Sequence, residues 1–90
     1  MRAYKFFISI RTREGTPMYY REPLYYREFD RLMDTVVYDD ELETVKAHVK
    51  EKCEYLIKNE PAAHSAKVNI FEILDDGSPV FLETFLDLTK

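Results

Sequence analysis

The sequence predicts a small α+β domain: an antiparallel sheet of about four strands with one long helix packed on one face, in the order strand, strand, helix, strand, strand. Three features carry this. A strongly amphipathic helix lies between Asp40 and Asn59, a hairpin with an Asp-Gly turn follows it, and an alternating apolar segment precedes it. Strands grouped on either side of one helix make a sheet with that helix on one side. The 90 residues form a single domain, 1–90, and 46% hydrophobic residues supply one core.

The helix reading rests on spacing. Leu42, Val45, Val49, Cys53, Leu56 and Ile57 fall within about 120° of arc at 100° per residue, a single apolar stripe. Lys46 alone interrupts it, near its edge, where its stem can run along apolar surface. Asp40 and Glu43 have the spacing of a capping box with Asp in place of Ser/Thr, and Asp39 and Glu41 add charge that suits a helix N-terminus. Pro61 ends the helix, because the residue before a proline avoids the α region.

The hairpin reading places strands at Lys67–Leu74 and Pro79–Leu88 around Asp75-Asp76-Gly77-Ser78. In its second strand Val80, Leu82, Leu86 and Leu88 share one face, and Phe81, Glu83, Phe85 and Asp87 the other. Its first strand alternates less cleanly near Phe71, Ile73 and Leu74, where a bulge is expected. The N-terminal strand spans Tyr4–Thr12, with Phe6, Ile8 and Ile10 on one face, and Arg13-Glu14-Gly15-Thr16 turns the chain.

Residues 17–38 admit two readings. Either Pro17–Phe29 is a strand paired with the first, or Pro23 opens a short helix to about Met33 with Tyr25, Phe29, Leu32 and Met33 as its apolar face. Tyr19-Tyr20-Arg21-Glu22 recurs six residues later as Tyr25-Tyr26-Arg27-Glu28. An even offset keeps both copies on matching faces of a strand, whereas on a helix they point apart. The repeat therefore favours the strand, with Pro23 at an edge or bulge. Thr35–Tyr38 reads as one further short extended piece.

One helix covers one face of such a sheet. Phe6, Ile8, Ile10, Val68, Ile70, Val80, Leu82 and Leu86 make the expected inner face. The other face would carry Phe7, Phe71, Phe81 and Phe85, joined by Tyr19 and Tyr25 on the strand reading. That is a larger aromatic patch than monomers usually expose, so something should cover it.

Composition excludes several function classes. A formal net charge of −4 argues against a protein that coats nucleic acid by neutralising phosphates. One cysteine excludes a disulfide framework and a multi-cysteine zinc site, and two glycines exclude the familiar glycine-rich phosphate loops. Cys53 lies mid-stripe and reads as a buried structural thiol; His48 and His64 read as solvated or capping. His48 with Glu51 has the i, i+3 spacing of some helical metal sites, but no second helix supplies the remaining ligands. Asp39-Asp40-Glu41 and Asp75-Asp76-Gly77-Ser78 read as helix and turn residues rather than cation sites. No metal, cofactor or catalytic residue is expected. The apolar run Phe6–Ile10 is shorter than an export signal's 7–15 residues. A cytoplasmic protein without membrane attachment is expected.

The remaining signal is for binding. All six arginines lie within the first 31 residues, beside tyrosines; residues 1–33 carry a net +3 and residues 34–90 a net −7. Guanidinium stacks on rings and grips carboxylates, and Tyr and Arg dominate binding hot spots. The expected function is a non-enzymatic protein-interaction module, adaptor or inhibitor-like, that docks on another protein or on a second copy. Its site residues would be Tyr19, Arg21, Tyr25, Arg27, Phe7, Arg11 and Phe71. The alternative is a nucleotide or single-stranded nucleic-acid binder that stacks bases on the same aromatics.

Overall fold

A computed structural model describes residues 1–18 and 23–90, with the backbone alone described for residues 23–27. The alternating N-terminal segment forms β1, Ala3–Arg11. Helix α1 follows at Pro23–Met33, then the short strand β2 at Val37–Tyr38. The long helix α2 runs over Asp39–Asn59, and the hairpin strands are β3, Ser65–Ile73, and β4, Pro79–Thr89. The four strands form one antiparallel sheet in the order β2-β1-β3-β4.

The core lies on one side of this sheet. Tyr4, Phe6, Ile8 and Ile10 of β1 and Ala66, Val68 and Ile70 of β3 are buried against Val49, Cys53 and Leu56 of α2 and Phe29 of α1. The α2 stripe is the one the spacing predicts, with Leu42, Val45 and Ile57 packed at its margins. Burial pushes the Cys53 thiol up to about 12, with Glu54 adding to the shift. At neutral pH the group is an uncharged thiol, unsuited to nucleophilic work.

Residues 23–33 correct the strand reading of 17–29. Proline fits the first turn of a helix, where its missing N–H has no partner to lose. The spacing of Phe29, Leu32 and Met33 then turns these three toward the core. Core burial outweighed the strand geometry that the repeat favours. Its first copy, Tyr19–Glu22, lies outside the described residues. Pairing with β1 does occur at Pro17, by one bridge to Arg11, and Met18 donates its N–H to the Ile10 carbonyl at 3.2 Å.

The capping box is also corrected. Helix α2 begins one residue earlier, with Tyr38 at its N-cap and no side-chain cap bond. Asp39 is engaged instead by β1: the Arg2 N–H donates to Oδ2 at 3.1 Å and the Tyr4 hydroxyl to Oδ1 at 2.8 Å. The Asp39 bond raises the Tyr4 phenol above its ordinary pKa, with burial acting in the same direction.

Strand β4 holds two bulges, in the second hairpin strand and not the first. Register slips between Val68 and Asn69 and between Ile70 and Phe71 leave Phe85 and Leu82 as the extra residues of β4. A bulge shifts the alternation by one. Between the bulges, Glu83 pairs with core residue Ile70 and reaches Lys46 of α2 at 3.5 Å. Phe85 joins the core side, with the Lys46 ammonium 5.3 Å from its ring centre. Both residues therefore leave the open face assigned to them by simple alternation. The second bulge restores the alternation, so Phe81 again sits opposite Phe71. Val80 and Leu82, expected in the core, stand 46% exposed on the outer strand β4, Leu82 as the extra residue of a bulge.

Two outcomes check this core. Leu56→Ala should destabilise the domain by roughly 2–5 kcal/mol in chemical denaturation, as expected for a buried leucine truncated into a cavity. Cys53 should resist iodoacetamide at pH 8 in the folded protein and react fully in 6 M guanidinium; rapid native labelling would contradict its burial.

Candidate interaction surface

The face of the sheet turned away from the helices is ordered by register. Phe71 of β3 faces Lys5 of β1 on one side and Phe81 of β4 on the other; in the next row Phe7, Asn69 and Thr84 align. Phe71 and Phe81 meet edge to face, with ring centroids 5.8 Å apart at 79°. Phe7 is 56% exposed and Phe81 55%. Beyond them the face turns polar. Thr84 donates to Asn69 Oδ1 at 2.9 Å, and Lys67 stands opposite Asp87.

Three of the sequence-predicted residues thus lie on one face, but only two are neighbours. Phe7 and Phe71 share a hollow of about 230 Å3 with Lys5, Pro79 and Met33. A second hollow of about 300 Å3 follows β1 from Phe7 to Arg11, past Asp30 and Met33. Arg11 sits roughly 20 Å along the strand from Lys5, at about 3.4 Å per residue, and its guanidinium donates to the Gly15 carbonyl at 2.7 Å. Tyr25 and Arg27 belong to α1, with their side chains outside the described residues, as are Tyr19 and Arg21 entirely.

Sequence reasoning missed where exposed apolar side chains concentrate. Tyr38, Ala3, Ile73 and Pro79 align across all four strands and mark one end of the sheet. Met1, Tyr38, Leu74, Val80 and Phe81 are exposed within two residues of that line, with Leu82 three and Phe7 four residues from it. Among the described residues only one other large hydrophobic is exposed, Tyr55 on α2. The Asp-Gly turn was a signal for this end. Asp76 accepts the Ser78 N–H at 2.9 Å and Gly77 adopts φ +86°, so the tight turn carries Leu74 and Val80 out together.

The sheet edges are poor templates for strand addition. β2 is two residues long, and the Ile8 N–H on the β1 edge donates to Met33 Sδ at 3.3 Å. The bulges of β4 break its ladder into short pieces, a recognised protection of edge strands.

The two helices are tied together by Glu28 of α1, which pairs with His48 and lies 3.5 Å from Lys52. His48 is therefore a link between helices, not a purely solvated residue. His64 also departs from expectation: its Nδ1 is shut from solvent and has no hydrogen-bond partner among the described residues. Between α1 and α2 a hollow of about 420 Å3 has an apolar floor of Phe29, Leu32, Val37 and Val45 and a mixed rim of Glu28, Arg31, Glu41 and His48. Among the described residues no three His, Cys, Asp or Glu side chains gather as a metal-binding group, and no helix is long and apolar enough to cross a membrane.

The chain matches no protein-family model, no curated protein and no solved structure.

The helix link has a pH signature. His48 first, then Lys52, hold the Glu28 carboxyl below the ordinary carboxylate value. A depressed carboxylate stabilises the fold above its unfolded pKa and loses that contribution as pH falls through the folded one. Glu28 is 44% exposed, so solvent screening keeps the effect below about 1 kcal/mol. The stability gap between wild type and Glu28→Gln should narrow and then close as pH falls through the acidic range where Glu28 protonates, as read from urea midpoints.

Proposed function

We propose that this protein is a non-enzymatic interaction module whose contact surface is the apolar end of its sheet, built by Phe7, Phe71 and Phe81 with Leu74, Val80 and Leu82. One observation carries the reading: nearly every large exposed hydrophobic side chain among the described residues gathers at that end. Scattered apolar residues need no explanation, but a contiguous patch of them marks an interface. Phe71 and Phe81 form an edge-to-face aromatic pair, a residue type enriched at interfaces. The bulged and covered edges favour face-on contact over strand addition. For base stacking the support is weaker, because Arg11 stands far from Phe71 and Phe81 and Asp87 shares the face.

The test is a photo-cross-linking residue at position 81 or 7 in the protein's native cells, with position 54 on the exposed side of α2 as control. Positions 81 and 7 should each give a discrete adduct and position 54 none. The mass of the adduct separates a second copy from another protein. Adducts at position 54 alone, or at no position, would overturn the assignment.

A further inference from the structure

The charges around this end define its occupant, and the inference rests on the contact-surface reading above. An open hollow of about 790 Å3 at the same end is lined by Asp39, Glu72, Asp75 and Asp76 together with Met1 and Leu74. Two cations enter it, the Met1 α-ammonium and Arg2, which lies 3.9 Å from Glu72, against its four carboxylates. Lys5, in line with Phe71, is a further cation nearby. The apolar end therefore has an acidic margin in a molecule of net charge −4.

We infer that this end binds a basic, apolar-bearing segment of another protein, such as an amphipathic stretch with Lys or Arg beside its hydrophobic stripe. Phe81, Leu82 and Leu74 take the apolar side chains, and Asp75 and its neighbours face the cations. Charge complementarity excludes wrong partners as much as it attracts the right one. A second copy docked on the same end would bring two acidic margins into one interface, a like-charge cost that a basic partner does not meet. Phosphate backbones are repelled for the same reason. The net negative charge of residues 34–90 also steers a basic partner from a distance, in a salt-dependent way.

The test uses two labelled 14-residue peptides, a Leu/Lys amphipathic helix and its Leu/Glu counterpart, with a thymidine 20-mer as a third probe, read by fluorescence anisotropy. The Lys peptide should bind at least tenfold more tightly than either other probe and weaken at least tenfold between 0.05 and 0.5 M NaCl. Phe81→Ser keeps the net charge and should weaken the Lys peptide at least tenfold; Asp75→Lys should weaken it several-fold and strengthen the Glu peptide. Circular dichroism melts of both variants, unchanged within a few degrees, establish that they fold. If the Glu peptide or the oligonucleotide binds as well as the Lys peptide and Phe81→Ser abolishes it, the basic-partner inference falls and the contact surface stands. A dimer in native mass spectrometry that Phe81→Ser dissociates has that same meaning. If no probe binds, the basic-partner inference falls; if Lys-peptide binding is indifferent to Phe81→Ser, it reflects general charge attraction, and the contact-surface reading falls with the inference.

Discussion

A sheet has two faces, and this chain has helix enough for one. That constraint governs the rest of the structure. The stripe Val49, Cys53 and Leu56 on α2 and Phe29 on α1 close over Tyr4, Phe6, Ile8, Val68 and Ile70, and the core is complete on that side. What remains on the opposite face and at the end of the sheet is apolar surface that folding itself does not bury. In a domain this small the unburied fraction is large to begin with. Its concentration around Phe71 and Phe81, rather than its existence, is what points to use.

Strand β4 shows how locally this division is negotiated. Strict alternation would put Glu83 and Phe85 on the open face. Two bulges instead deliver both to the helix side, beneath Lys46, whose ammonium lies close to the Glu83 carboxylate and the Phe85 ring. A lysine that interrupts an apolar stripe thereby finds an acid and a ring face at its tip, while its stem packs along the core. The same bulges roughen an edge strand that would otherwise invite pairing with another chain. One local distortion thus serves packing inside and restricts contact outside.

Asp39 has a comparable double position. It is the first residue of α2 and accepts bonds from Arg2 and Tyr4 at the start of β1. This joint fixes the N-terminus of α2 to the apolar end of the sheet and places Asp39 there. Helix stability explains acids at a helix N-terminus on its own, but tertiary structure sets Asp39 in one hollow with exposed Leu74. The proposed attraction for a basic partner rests on that juxtaposition.

By itself the sequence determined the α+β class, the long helix and its stripe, the Asp-Gly hairpin and the burial of Cys53, because each follows from local periodicity or turn chemistry. It also marked Phe7 and Phe71 as outward-facing, since an intact alternation from core neighbours Phe6 and Ile70 requires it, whereas Phe81 shares that face because the two bulges of β4 cancel. Tertiary structure decided the rest. Pro23–Met33 is a helix because Phe29, Leu32 and Met33 gain burial that a strand would deny them, a long-range preference absent from the Tyr-Tyr-Arg-Glu repeat. Bulges at Phe85 and Leu82 depend on what α2 presents to β4, so no pattern within β4 could announce them. Val80 and Leu82 looked like core residues by alternation but stand exposed on the outer strand, Leu82 as the extra residue of a bulge. Periodicity tells which way a side chain points; only the assembled layers tell whether anything is there to meet it.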